Sequence, residues 1–186
     1  MLTILPNNKQ DTLKAGLKQV FANLAKDGFK RIYNHIDQQT IKRGVDEMGI
    51  DKFVNQCALL AAGSGAVTGV GGFATMLVGV PLDMTNLIAQ QFRVTLAVNY
   101  YKTGRSKVSF LELLGIVASS LSVDAGLAVS KRVVEEVASK LLLVLGSKSA
   151  RRLVPVVGAV IGGSTNYMFI KKVARDLLAK QDYTGY

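Results

Sequence analysis

The sequence predicts an all-α protein: a multi-helix bundle in which two glycine-rich apolar helices pack closely. Apolar residues recur at intervals of three and four along most of the 186-residue chain, which is the spacing of a helix face. No pair of segments shows the apolar–polar alternation of strands. The segments GAVTG at 65–69 and GAVIG at 158–162 place small residues on one helix face, where two backbones can approach. The predicted packing glycines are Gly65, Gly69, Gly72, Gly158 and Gly162.

The N-terminal third shows amphipathic helical patterns. Apolar residues at helical spacing predict a helix over 11–27, and a charge-mixed helical stretch over 29–48 carries an apolar stripe. That stripe consists of Phe29, Ile32, Tyr33 and Ile36. We interpret residues 1–50 as an N-terminal helical extension, 51–180 as the main helical domain and 181–186 as a C-terminal tail.

The main domain begins with an apolar run. Asp51 is expected to cap a helix that enters the uncharged residues 53–82, and Pro81 is expected to end it. The next helix is predicted over 82–101, with the acidic Asp83 near its start, where the helix dipole favours negative charge. Further helices are predicted over 108–123, 130–145 and 154–178.

The composition argues against several classes of protein. One histidine and one cysteine, His35 and Cys57, cannot supply a zinc cluster or an internal disulfide. We find no catalytic constellation and expect no cofactor. The first residues lack a basic segment followed by an apolar one, so a signal peptide is not indicated. A cytoplasmic location is the expectation.

Positive charge flanks the apolar middle of the chain. The formal net charge is +10, and residues 53–101 contain only two charged side chains, Asp83 and Arg93. Basic flanks suit an anionic membrane surface, a membrane protein or nucleic acid. Nucleic acid is disfavoured because few aromatic residues lie among the basic ones. The predicted membrane-surface contacts are Lys148, Arg151, Arg152, Lys171 and Lys172.

A polar stripe interrupts the apolar helix predicted over 82–101. Asp83, Asn86, Gln90 and Arg93 fall within about 80° of one another on a helical projection. With Asn166 as a partner, they form either a structural polar network or the lining of a pocket for an apolar or lipid ligand. Arg93 also argues against a full membrane crossing, because it would lie near the bilayer centre.

The glycine cluster over 63–72 also permits a dinucleotide-binding interpretation, with Asp83 as the ribose-binding acid. That interpretation is disfavoured because the preceding segment 58–62 is rich in alanine and leucine rather than in β-branched residues.

Several of these features occur together in a known pattern. A glycine-rich helix (Gly65, Gly69, Gly71, Gly72) is followed by Pro81-Leu-Asp83 and Arg93, and VPVVGAVIGGSTNY follows at 154–167. Over roughly residues 55–175 this resembles the EcsC protein family of bacteria. The chain departs from the family pattern where Lys102 and Thr103 separate Tyr101 from Gly104, which are usually adjacent.

The resemblance implies a helical, membrane-proximal bacterial protein and supplies no reaction. We therefore expect a non-enzymatic helical module, peripheral to a membrane or a membrane complex, in which residues 51–180 form an EcsC-like domain. The alternative is a domain, enzymatic or not, that binds an apolar ligand or lipid in a cavity near Asp83 and Arg93. Assembly as a homo-oligomer is compatible with both.

Overall fold

The computed structural model describes residues 28–70, 72–120, 136–137 and 155–180, with side chains outside 64–70, 72–83 and 155–162. These residues form helices and no strand, which confirms the all-α bundle. The predicted helix over 11–27 and the tail lie outside the described residues, as does the segment 130–145 apart from residues 136 and 137. The helices are α1 Phe29–Asn34, α2 Gln38–Met48, α3 Ile50–Val70, α4 Gly72–Thr103, α5 Phe110–Ser120 and α6 Pro155–Ala179.

The stretch over 29–48, predicted as one helical segment, consists of two helices. Asp37 separates them, because its side chain caps α2: Oδ1 accepts from the Gln39 backbone N–H at 2.9 Å and Oδ2 accepts from the Thr40 hydroxyl at 2.7 Å. An N-cap aspartate has extended backbone angles, so a continuous helix cannot pass through it.

Asp51 does not cap α3 as predicted, because the helix begins one residue earlier. Gly49 adopts φ +80°, a conformation that glycine accepts without a steric penalty, and α3 begins directly after it at Ile50. Asp51 therefore lies inside the first turn of α3, where its negative charge still complements the helix dipole.

The break predicted at Pro81 is wrong. Helix α4 runs through Pro81, and the boundary lies between Val70 and Gly72. Glycine is the weakest helix former after proline, and three of the residues 69–72 are glycine, so the helix ends there. A single proline removes one hydrogen bond, which a helix of 32 residues tolerates. Asp83 consequently lies in the interior of α4 rather than at a helix start.

Helices α3 and α4 form an antiparallel hairpin, and α6 packs antiparallel to α3. The Asn86 amide contacts the Leu60 carbonyl and Arg93 lies over the Phe53 ring, which fixes the hairpin register. Lys102, at the end of α4, donates to the carbonyl oxygens of Leu177 and Lys180 at the end of α6. The most extensive helix–helix contact is that between α3 and α6, the two helices that carry four of the five predicted packing glycines.

Helices α1 and α2 belong to the same core as the rest of the bundle. Phe29 is 2% exposed and packs edge-on against Phe92, with ring centroids 5.9 Å apart. Ile41 and Val45 of α2 are buried in the same apolar cluster. The described helices within the predicted extension thus contribute directly to the core.

The start of α5 is a capping box. The Ser109 backbone N–H donates to Glu112 Oε2 at 2.7 Å, and the Glu112 backbone N–H donates to Ser109 Oγ at 3.3 Å. Arg105 adds an ion pair to Glu112 Oε1 at 2.7 Å. The backbone hydrogen bond from Ser109 and then the Arg105 bond lower the pKa of Glu112 to about 2. The ionised carboxylate therefore holds the turn that leads into α5.

Glu112→Gln is expected to lower the free energy of unfolding at neutral pH by about 1 kcal/mol, allowing for screening by solvent. Because folding depresses the pKa of Glu112, its contribution is complete above the ordinary glutamate pKa and disappears as the pH falls from 4.5 to about 2. Denaturant unfolding across that range tests this. The exposed Glu47 supplies the control: Glu47→Gln should change little, and equal losses in both variants would contradict the assignment.

Candidate functional site

Three of the predicted site residues form a hydrogen-bonded ladder along α4. Arg93 Nη1 donates to Gln90 Oε1 at 3.3 Å, and Gln90 Nε2 donates to Asn86 Oδ1 at 3.0 Å. Asn86 Nδ2 then donates to the Leu60 carbonyl oxygen of α3 at 3.0 Å. The structure therefore brings Asn86, Gln90 and Arg93 together, as their spacing on one helix face predicts.

Asn166 secures α3 from the other side. It is fully buried, and its Nδ2 donates to the Ala61 carbonyl oxygen at 3.1 Å. The amides of Asn86 and Asn166 thus reach successive carbonyls of α3, Leu60 and Ala61, from α4 and α6. A carbonyl oxygen has two lone pairs, so each can accept a second hydrogen bond. This arrangement holds three helices together immediately before the glycine-rich end of α3.

Arg93 is half-buried at the end of the ladder. Its guanidinium carbon lies 5.6 Å from the centroid of the Phe53 ring, a cation–π distance. Among the residues that the structure describes, no carboxylate forms an ion pair with Arg93. The side chain of Asp83 lies outside the described residues, so its predicted place in the network stays a prediction.

A cleft of about 500 Å³ lies beside Arg93, between α1, α2 and α4. Its volume is in the range of small-molecule sites. The sequence predicted a pocket near Arg93 but not its other wall, which comes from α1 and α2. The lining residues are Arg31, Ile32, His35, Ile36, Asp37, Thr40, Ile41, Thr85, Ala89 and Arg93.

A second polar stripe on α4 was missed. Gln91, Thr95 and Asn99 are at most 2% exposed, and polar atoms of all three lack a hydrogen-bond partner in the described part of the chain. Their spacing of four residues was visible in the sequence. An unsatisfied buried polar atom costs about 1–3 kcal/mol, so this stripe weakens the bundle.

Thr95→Val is expected to raise the free energy of unfolding by about 1 kcal/mol, because valine has the same shape without the unsatisfied hydroxyl. Thr103 is the matched control: its hydroxyl donates to the Asn99 carbonyl oxygen at 2.8 Å and accepts from the Arg105 backbone N–H at 3.2 Å. Thr103→Val should be destabilising. Chemical denaturation measures both changes, and a loss of stability in Thr95→Val would show that its hydroxyl has a partner.

The exposed sides of α3 and α6 form one surface, which we call the α3–α6 face. Exposed residues follow the same four-three-four spacing on both helices. The antiparallel register set by Asn166 and Ala61 pairs them across the two helices, with Leu59 opposite Met168. The face comprises Lys52, Gln56, Leu59 and Gly63 of α3, and Ser164, Met168, Lys171 and Arg175 of α6.

The same register, continued along both helices, brings the predicted glycines level with one another. Gly65 becomes level with Gly162, and Gly69 with Gly158. Gly72 is the first residue of α4, at the same end of the bundle. Close approach of the helices at these glycines stays a prediction, since this end lies beyond the residues whose side chains are described.

Two of the predicted membrane-contact residues are described. Lys171 and Lys172 are exposed on α6, and Lys172 forms an ion pair with Asp176 one turn later. Lys148, Arg151 and Arg152 lie outside the described residues. Arg175, which belongs to the same basic group in the sequence, has 76% of its side chain exposed and lies on the α3–α6 face.

The described residues offer little for covalent or metal chemistry. Cys57 is buried, and desolvation raises the pKa of its thiol to about 11 against the opposing charge of Arg93. The thiol is therefore protonated and unreactive at neutral pH. Within the described ranges, no three His, Cys, Asp or Glu side chains lie close enough to hold a metal ion.

Comparison with known proteins gives no assignment: no protein-family profile, curated protein or solved structure matches the chain. The resemblance to the EcsC family stays a prediction. Of the helices in the described ranges, none combines the length and the apolarity that a bilayer crossing requires.

Proposed function

We propose that the protein is a non-enzymatic helical module that binds an anionic membrane surface, or a membrane complex, through the end of the bundle where α3 ends and α6 begins. The observation that carries this proposal is the order of residues along the α3–α6 face. Cations lie at one end, exposed apolar side chains lie in the middle, and helices without charged residues continue beyond them.

The cationic end consists of Lys52, Lys171 and Arg175, and the face contains no acidic residue. Each lysine or arginine near an anionic leaflet contributes about 1 kcal/mol of attraction. With a rise of 1.5 Å per residue, Lys52 lies about 10 Å from Leu59 along the helix axis. These cations can therefore remain among the headgroups while the other end of the face reaches the acyl region.

The middle of the face supplies apolar contact. Leu59 is 58% exposed and Met168 is 68% exposed, a loss of hydrophobic stabilisation that burial in a membrane would recover. Beyond them, residues 60–82 and 153–167 contain no charged side chain. These parts of α3 and α6 thus carry no charge of their own into a leaflet. Asp83 of α4, level with Gly63 in the hairpin register, and Arg152, three residues before α6, limit how deeply this end would insert.

Arg93 does not oppose shallow insertion. In the α3–α4 hairpin it lies level with Phe53, near the Lys52 end of the bundle. Arg93 would lie near the bilayer centre only if the hairpin helices spanned the membrane fully. In the bundle, Arg93 stays on the headgroup side of Leu59 and Met168.

Co-sedimentation with phosphatidylglycerol–phosphatidylcholine vesicles tests the proposal. Leu59→Asp combined with Met168→Asp should weaken binding at least tenfold, because both side chains would carry charge into the interface. Leu111→Asp is the matched control, because Leu111 is 56% exposed on α5, away from the face. This variant should bind the vesicles as the wild type does. Equal losses in the control, or a wild type that ignores acidic vesicles at low salt, would contradict the proposal.

The cations are tested separately. Neutralising Lys52, Lys171 and Arg175 to glutamine should reduce binding and weaken its dependence on salt, as surface electrostatics requires. Neutralising Lys30, Arg43 and Lys107, which lie off the face, removes the same charge and should have a smaller effect. A third variant neutralises the remaining predicted membrane contacts, Lys148, Arg151, Arg152 and Lys172. Equal losses from the first two sets would indicate attraction by net charge alone.

A further inference from the structure

We propose that the cleft between α1, α2 and α4 binds a single-chain amphiphile with an anionic headgroup. This goes beyond membrane association, because the cleft lies apart from the α3–α6 face and would take one monomeric ligand. The proposal rests on an arginine that has no counter-ion among the described residues, a second arginine across the cleft, and apolar walls between α1, α2 and α4.

Arg93 is the anchor of the site. It is half-buried, lines the cleft, and forms no ion pair with any described acidic residue. Its hydrogen bond to Gln90 at 3.3 Å leaves other guanidinium N–H groups available, since arginine has five donors. A partly desolvated cation without a counter-ion favours an anion at this position.

Arg31 supplies a second cation from α1. It is exposed, lines the same cleft, and also lacks an ion pair within the described part of the chain. Asp37 is the acidic residue of the lining, and both of its carboxylate oxygens already accept hydrogen bonds at the start of α2. The cleft therefore has two guanidinium groups and one carboxylate, and that carboxylate is already hydrogen-bonded. This excess of positive charge makes the cleft complementary to an anionic headgroup.

The remaining walls suit an alkyl chain. Ile32 comes from α1, Ile36 from the connection to α2, Ile41 from α2 and Ala89 from α4, so apolar side chains from three helices line the cleft. Apolar walls with a small number of charged groups are typical of ligand sites of this size. A headgroup alone would leave these walls uncovered, so the chain and the charge together define the ligand class.

Calorimetric titration below the micellar concentration tests the proposal with defined probes. Dodecanoate and dodecyl phosphate should each bind one per chain, and the tighter of the two identifies the headgroup. Acetate, inorganic phosphate and dodecyltrimethylammonium should bind at least tenfold more weakly, because each lacks either the chain or the negative charge. Failure of both anionic amphiphiles to bind, or equal binding of the cationic one, would overturn the proposal.

Variants locate the site. Arg31→Gln should weaken dodecanoate binding about tenfold or more, the usual effect of losing a charge-assisted hydrogen bond. Lys30→Gln is its control, because Lys30 is the exposed neighbour on α1 that does not line the cleft. Ala89→Leu should weaken binding by narrowing the cleft. Equal losses in Lys30→Gln and Arg31→Gln, or wild-type affinity in Ala89→Leu, would contradict this site.

Discussion

Asn166→Asp is expected to lower the free energy of unfolding at neutral pH by about 3–5 kcal/mol, the cost of an uncompensated buried charge. Asn166 is fully buried and donates to the Ala61 carbonyl oxygen. An aspartate there would direct a carboxylate at that carbonyl, with no hydrogen to donate. Burial would therefore raise the pKa of the introduced aspartate above its unfolded value.

The stability of this variant should also depend on pH in a characteristic direction. Because the folded state would bind the proton more tightly, Asn166→Asp should recover stability relative to wild type as the pH falls towards the ordinary aspartate pKa of about 3.9. The protonated carboxyl can again donate to Ala61. Asn34→Asp, at an exposed position on α1, is the control. Similar stabilities of the two variants at neutral pH would contradict the buried amide contact.

Gly44→Ala is expected to destabilise the protein by about 1–2 kcal/mol. This is the cost of overpacking minus the gain in helix propensity from glycine to alanine. A Cβ at Gly44 would lie 2.8 Å from two carbons of the Phe53 ring. That ring is 2% exposed and is also in contact with Arg93, so it has little room to move away. Glycine is required here by the close approach of α2 to α3.

Gly63 provides the matched opposite case. It lies within α3, is exposed, and nothing lies within 4 Å of an added Cβ. Gly63→Ala should therefore stabilise the protein by up to about 1 kcal/mol, because alanine is the better helix former. Thermal and denaturant unfolding of the two variants compare them directly. Changes of the same sign would contradict the packing of Gly44 against Phe53.

The sequence predicted those features that depend on spacing within one helix. The ladder of Asn86, Gln90 and Arg93 follows from intervals of three and four residues, and its existence required only that α4 be helical. At Pro81 and at Asp37 the structure differs from the sequence-based prediction, in opposite directions. A proline inside a long helix costs one hydrogen bond, whereas an aspartate in a polar stretch ended the helical run by bonding to the backbone.

Features that depend on pairing between helices were not predictable. The α3–α6 face requires the antiparallel register of two segments more than 100 residues apart in the chain, which the Asn166–Ala61 contact sets. The cleft beside Arg93 likewise needs α1 to lie against α4, as the contact between Phe29 and Phe92 shows. Gln91, Thr95 and Asn99 have a visible spacing, but their burial follows from packing alone.

The central proposal is that one end of the bundle enters the membrane, and site-specific fluorescence tests it most directly. An environment-sensitive fluorophore would be attached at Thr68→Cys, in the last turn of α3, or at Tyr101→Cys, at the opposite end of the bundle. The native Cys57 is buried with a raised thiol pKa, so the wild type should take up little label and serves as the blank.

Anionic vesicles should shift the emission of the Thr68 probe to shorter wavelength, as expected on leaving water, and should leave the Tyr101 probe unchanged. The two positions are about 35 Å apart along the bundle axis, from a rise of 1.5 Å per residue, so a shallow insertion separates them clearly. A shift at Tyr101, or no shift at Thr68 while the protein is bound to the vesicles, would contradict the proposed orientation.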